Sequence, residues 1–318
     1  MSALEGVNVL DFTSRLPGPL AGLMLAEAGA EVIKIEGPAG DPLQNALPNW
    51  PDAAQTYERL NRGKRILRLD LKDERDREVL EPLLETCDVL LEGFRPGVMA
   101  RLKLDYETLA ARFPRLIYCS ISGYGQAGPD AARAGHDLTY LAGRGVLSLL
   151  ATSEGDAIVP GILLADIAAG SYPAFMNVVL ALFGRERTGR GTHLDVAMTR
   201  NLDFFTLGAR AGKLFTGGSP RYRIYRTRDG RALAVGALEA NFWDAFCACI
   251  ALPEQLRDDS RDPVATIRAI EDIVGRKDAR EWTDLLEKCD TCAALLEPLD
   301  ASASLEVPLA PQLCRDVR

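Results

Sequence analysis

Through its first two hundred residues the chain alternates short β-rich runs with stretches of helical period. Val7 to Phe12 and Glu31 to Glu36 read as strands, and Pro19 to Glu27 between them as a helix. Pro17-Gly18-Pro19 supplies the helix start and Gly29 its C-terminal cap, so the three make a βαβ unit with parallel strands. The alternation continues with a strand at Ile66 to Leu71, a charged helix at Glu74 to Glu85 and a strand at Asp88 to Leu91. Helices over about Val98 to Arg112 and a strand at Leu116 to Ile121 follow. This pattern predicts an α/β fold with a Rossmann-like open parallel sheet, whose ligand crevice lies beyond the carboxyl ends of the strands. The connections to inspect are those holding Arg15, Gly37 to Asp41, Phe94-Arg95-Pro96-Gly97 and Ser122-Gly123-Tyr124-Gly125.

Beyond Gly135 the texture turns helical, notably from Asp166 to Phe183, before Gly189-Arg190-Gly191 turns into a strand at Thr192 to Met198. Around Pro220 a second, smaller α+β unit begins. Tyr222 to Tyr225 and Ala232 to Gly236 flank Asp229-Gly230, a pair suited to a type I′ hairpin turn. Helix is expected over Asn241 to Ala251 and over Pro263 to Glu287. The expected domains are residues 1–200 for the large unit and 221–300 for the small one, with 201–220 a linker and 301–318 a loosely held tail.

The composition, 47% apolar and 26% charged, is that of a folded globular chain and excludes disorder, collagen and coiled coil. A net charge of -8 gives no global basic field, so neither nucleic acid nor an anionic membrane is an expected partner. The N-terminus lacks a cationic leader with an apolar run, and no stretch approaches the roughly 18 uninterrupted apolar residues of a membrane helix. A cytoplasmic enzyme is the expectation. Seven scattered cysteines argue for reduced thiols. The Cys289 and Cys292 pair has the spacing of half a zinc site, but Cys247 and Cys249 lie in an apolar helical run, so no metal is expected.

The first strand-to-helix connection, Thr13 to Gly18, lacks the glycines that let a backbone close on a pyrophosphate, which argues against a dinucleotide cofactor. Walker, HExxH and GxSxG motifs are absent. There are two histidines. His193 sits in an alternating strand and reads as structural, whereas His136 follows a long loop and opens a helix, where a titratable imidazole can serve either catalysis or local hydrogen bonding. Asp166 follows an apolar run and precedes small residues; the pattern alone makes it an N-cap, although the same placement leaves a substrate room to approach. The basic cluster of Arg62, Lys64, Arg65, Arg68 and Lys72 is either a solvated strand edge or a phosphate-binding patch.

The ordered series Val9-Leu10-Asp11-Phe12 with Pro17-Gly18-Pro19, Gly29 to Glu36, Asn61 to Arg65 with Leu69 to Lys72, Phe94 to Gly97, Leu116-Ile117-Tyr118, Ser122 to Gly125 with Gly128-Pro129, and Gly189 to Val196 resembles the family III CoA transferases, which include the α-methylacyl-CoA racemases. The resemblance implies a homodimer of interlocked subunits acting on an acyl-CoA thioester, with no cofactor beyond coenzyme A itself. It implies that Leu16, Leu71, Lys72, Arg95, Gly123, Tyr124, Asp137 and Tyr140 touch CoA, with Arg62 and Arg65 nearby. Asp166 falls on the family's essential carboxylate, a nucleophile in transferases and an acid/base group in racemases. His136, in Gly-His-Asp, falls on the racemases' second acid/base group. Gly236-Ala237-Leu238-Glu239 resembles the racemase segment whose glutamate supports the partner's histidine, so the racemase branch is the expected reaction and CoA transfer through Asp166 the alternative. Two departures from the family pattern stand out: Arg223 replaces an acidic position, and the small domain is expected to be shortened, because only 26 residues follow Cys292.

Overall fold

The computed structural model describes residues 2–45, 52–151 and 156–299, so the tail expected over 301–318 lies outside the described residues. Two compact units divide the described chain at Phe204 and Phe205. In the first, six parallel strands stand in the order β3-β2-β1-β4-β5-β6: β1 Asn8–Phe12, β2 Glu31–Glu36, β3 Arg65–Arg68, β4 Val89–Glu92, β5 Ile117–Ser122 and β6 Thr192–Ala197. The longer helices are α1 Pro17–Glu27, α2 Ala53–Asn61, α3 Glu74–Glu85, α4 Tyr106–Arg112, α5 Asp137–Gly143 and the run α6 Leu164–Thr188. The strand order reverses between β1 and β4, and that switch point is where an open parallel sheet leaves a crevice.

Local chemistry explains most boundaries. Pro17 starts α1, and Asp73 and Asp105 cap α3 and α4 by accepting the backbone N–H of Arg75 and Thr108. The helices expected over Val98 to Arg112 are two, parted at Lys103, whose φ of 56° no helix holds. Alternate residues of the strands serve opposite faces. Val9, Val32 and Leu91 pack with Ala21 and Leu25 of α1 and with Ala174, Val178 and Leu182 of α6. Leu10, Ile35 and Leu90 pack with Leu80 and Leu84 of α3 and Leu109 of α4. The helix α6 is long and apolar enough, by length and composition, to cross a membrane; here its inner side is core, while Met176, Leu180 and Phe183 are exposed.

Arg65, Arg68 and Lys72 of the basic cluster are exposed on or beside the edge strand β3, as a solvated strand edge would be, and Lys64 departs from both readings. The Lys64 side chain is fully buried, 2.9 Å from Asp11 Oδ2, and Arg62 pairs with Glu27. A Cβ on Gly22 would stand 2.6 Å from Asp11 Oδ2 and 2.9 Å from Lys64 Nζ, so the absence of a side chain in the middle of α1 makes room for this ion pair. Burial works to raise the Asp11 carboxyl, but Lys64 and Lys34 together outweigh it and hold it below the usual range.

The second unit is an antiparallel sheet of β7 Tyr222–Arg226, β8 Ala232–Gly236 and β9 Ala293–Leu295, with α7 Ala240–Cys249, α8 Pro263–Val274 and α9 Ala279–Leu286 around Trp243, Phe246, Ile270 and Trp282. The hairpin turn is not type I′: Gly230 has positive φ and Asp229 does not, and Arg226 pairs with Ala232 across a five-residue connection. The helical run expected over Pro263 to Glu287 consists of two helices, because Asp278 and Glu281 form a capping box that starts α9 afresh. The strand β9 had no signal in the sequence beyond three small or apolar residues.

Candidate active site

A cavity of about 330 Å³ opens at the switch point of the first unit. Its walls come from four strand ends: Thr13 to Arg15 with Pro17 and Gly18 after β1, Gly93 to Pro96 after β4, Ser122 to Tyr124 after β5 and Met198 after β6. The loop Ala131 to His136, Tyr140 of α5 and Asp166 of α6 complete it. The volume lies at the lower end of the range for small-molecule sites.

Asp166 is not an N-cap. It occupies the first turn of α6, whose N-cap is Leu163, and its side chain caps nothing. Its backbone N–H donates to Asp137 Oδ2 at 2.9 Å, and its carbonyl accepts from Ser171 Oγ at 3.1 Å. Directly after it, Ile167–Ser171 winds as one π turn, a local widening that often marks functional positions in helices. Burial, reinforced by the neighbouring Asp137 carboxylate, pushes the Asp166 carboxyl up to about 6. The group is therefore poised to give or take a proton near neutrality.

His136 is the N-cap residue of α5 and is exposed toward the cavity it lines. Its backbone N–H donates to Thr139 Oγ1 at 2.9 Å, and the Thr139 N–H donates back to its carbonyl at 2.9 Å. One helix start and one helix first turn thus bring a histidine and a carboxylic acid to one cavity from positions thirty residues apart. The other histidine is structural in this fold. His193 is stacked on Tyr106 with centroids 5.0 Å apart and hydrogen-bonds Ser120 Oγ at 3.0 Å.

Of the residues expected to touch CoA, Arg95, Gly123, Tyr124 and Tyr140 line the cavity. The Tyr140 ring is held by its hydroxyl, which donates to the Gly135 carbonyl at 2.8 Å, and by an edge-to-face contact with Tyr124. A Cβ on Gly123 would stand 2.4 Å from that ring, so only glycine leaves space for it. Burial and the nearby Asp166 raise the Tyr140 hydroxyl to about 12, so it remains a neutral donor. Leu16, Leu71, Lys72, Asp137, Arg62 and Arg65 do not line the cavity. Asp137 is 5% exposed and spends its carboxylate on the first turn of α6, which makes it a positioning residue for Asp166. Glu239 lies in the second unit, as the N-cap residue of α7.

The structure adds Arg15 and Arg133 to the cavity wall. Among the described residues the guanidinium groups of Arg15 and Arg95 meet no carboxylate within 4 Å, whereas Lys34, Lys64 and Arg68 near this end of the sheet are paired. Two unpaired guanidinium groups facing one cavity suit an anionic ligand with phosphate or carboxylate oxygens. The position of Arg15 in the first strand-to-helix connection was the available signal; the residue type alone did not distinguish it.

The profile of CoA-transferase family III matches residues 4–318. The chain belongs to that family. It is 35% identical over 307 residues to the human alpha-methylacyl-CoA racemase, covering 91% of this chain and 76% of the relative. It is 34% identical over 271 residues to the mouse succinyl-CoA:glutarate CoA-transferase, covering 81% of this chain and 62% of that one. The crystal structure of Rv3272 from Mycobacterium tuberculosis superposes with a TM-score of 0.80 at 31% identity, over 94% of this chain and 83% of that one. This family III member is therefore an enzyme of the racemase or the CoA-transferase kind, on the α/β fold the sequence pattern predicts.

Proposed function

We propose that the protein is an acyl-CoA racemase or epimerase that inverts the α-carbon of 2-methyl-branched acyl-CoA thioesters. The observation that carries this reading is the convergence of His136 and Asp166 on one cavity from separate elements. Inversion needs a base on one face of the α-carbon and a proton donor on the other. In one direction ionised Asp166 takes the α-proton and protonated His136 returns one to the opposite face; in the other the roles exchange. The thioester supplies the acidity of the α-proton, and inversion requires a hydrogen-bond donor at the enolate oxygen. Arg15 and Arg95 support binding of CoA, whose phosphates are the strong anions of such a substrate. Asp166 near 6 supports proton exchange at physiological pH.

The exposed stripe of Met176, Leu180 and Phe183 supports association of two copies, and the family resemblance implies an interlocked homodimer in which Glu239 would orient the partner's histidine. Replacing Glu239 by Gln is expected to slow exchange about tenfold and displace the pH optimum. An unchanged rate and profile would remove Glu239 from the mechanism.

The deciding experiment is incubation with (R)- or (S)-2-methylacyl-CoA in D2O, with deuterium followed at the α-carbon. Incorporation that Asp166→Ala and His136→Ala both lose is the expected result; no incorporation by the wild type rejects racemisation of those substrates. The acid limb of kcat/KM should fall near pH 6, equally in both directions, because the equilibrium constant does not depend on pH. Asp137→Asn keeps an oxygen for the Asp166 N–H but removes a charge, so that limb is expected to move to lower pH. A limb that stays in place would assign it to another group.

CoA transfer is the second reading, favoured by the 34% identity to a succinyl-CoA:glutarate CoA-transferase. There an Asp166 oxygen attacks the thioester carbonyl and CoA leaves as thiolate, giving a mixed anhydride. The thiolate then attacks the aspartyl carbonyl and releases the carboxylate, leaving an aspartyl thioester that hydroxylamine or borohydride traps. Such an adduct on Asp166 would select transfer over racemisation.

A further inference from the structure

We infer that Arg15 is an oxyanion clamp of the cavity, pre-set by the buried Lys34 and Asp41 pair, and that it grips either a CoA phosphate or a carboxylate borne by the acyl group. The inference rests on the reading of the cavity as an acyl-CoA site and specifies a binding residue within it.

Arg15 has a φ of 66°, a left-handed region that an L-residue with a long side chain enters only at a cost. A costly backbone persists only where its surroundings impose it, and strain of this kind concentrates at ligand clamps. The imposing groups are in place. The Arg15 N–H donates to both Asp41 oxygens at 3.2 and 3.3 Å. Asp41 is held in turn by the Leu43 N–H at 2.9 Å and by Lys34 Nζ at 3.1 Å. Lys34 Nζ also donates to the Thr13 carbonyl at 2.8 Å, so one buried ammonium fixes the strand end on one side of Arg15 and its anchor on the other.

The side chains of Lys34 and Asp41 are 0% and 1% exposed. An apolar pair of similar size would serve stability as well as a buried ion pair does, so the pair is not accounted for by stability. Its visible effect is to present the Arg15 guanidinium to the cavity. That guanidinium meets no carboxylate within 4 Å among the described residues, and its charge, with that of Arg95, reaches the Tyr140 hydroxyl beside Asp166. A planar, pre-oriented and unpaired fork is suited to two oxygens of one anion.

The test compares Kd values for CoA, butyryl-CoA and succinyl-CoA by calorimetry in the wild type, Arg15→Gly and Lys34→Met. Arg15→Gly removes the guanidinium while keeping the left-handed backbone without strain, so a folding defect does not confound it. A loss of about 10- to 100-fold for all three ligands identifies a CoA phosphate as the anion; a loss confined to succinyl-CoA identifies the acyl carboxylate. Lys34→Met should weaken the same ligands and add nothing in the Arg15→Gly background, which a general loss of stability would not reproduce. Unchanged affinities in Arg15→Gly beside normal wild-type binding overturn the clamp alone. A wild type that binds none of the three overturns the acyl-CoA reading and the clamp with it.

Discussion

Asp166→Asn is expected to abolish turnover while making the fold more stable. Both chemistries need the carboxylate, as base or as nucleophile, so kcat/KM should fall by about 10³-fold or more. The stability effect follows from the carboxyl's position near 6 in the folded chain, against about 3.9 when unfolded. A raised folded value means that the protonated acid stabilises the native state. This contribution is fully present below about pH 4 and is lost as pH rises through about 6. Above that, the buried charge costs about 1–3 kcal/mol at 1.36 kcal/mol per unit, the lower figure allowing for solvent entering from the cavity. Asparagine is never ionised, so the variant's thermal stability should match wild type near pH 4 and exceed it near pH 7.5. Equal stability at both pH values would show that Asp166 carries no such burden.

His136→Ala should divide the two reactions. Deuterium exchange at the α-carbon is expected to fall by about 10²- to 10⁴-fold, because one face of the carbon then lacks its proton carrier. An Asp166 thioester, if the enzyme transfers CoA, should still form at a rate within a few-fold of wild type. Hydrogen bonds made by the residue 136 backbone N–H and C=O to Thr139 are retained in alanine, and the variant's melting temperature separates lost chemistry from a weakened start of α5. Exchange retained in His136→Ala would exclude a two-base mechanism with this residue.

The alternation of β-rich and helical runs was enough to predict the parallel sheet, because strands buried on both faces must be short and apolar and their crossovers must be helices. Glu31–Glu36 and Glu74–Glu85 have the expected bounds, since each is bracketed by strong local signals: Gly29 before the one, Asp73 before the other. The helices expected over Val98 to Arg112 are present, but the break between them at Lys103 was not legible, because a single positive φ interrupts an otherwise helical period. The type I′ turn failed because Asp-Gly also fits a longer loop in which only glycine is left-handed.

The candidate pair was legible as two motifs, Gly-His-Asp and an aspartate after an apolar run, but their meeting was not. The sequence by itself determined the fold class, the family and the residue types of the chemistry, all of which follow from local pattern and ordered motifs. Only the tertiary structure decided that Asp166 lies inside its helix and shares a cavity with His136, and that Asp137 turns inward to hold it. It likewise decided that Lys64 and Lys34 are buried ion-pair partners, which no charge count separates from solvated lysines, and that Arg15 is left unpaired at the cavity. The reason is common to all of these. A side chain's partners across the fold set its burial, its protonation and its freedom to meet a ligand, and those partners lie tens of residues away in the chain.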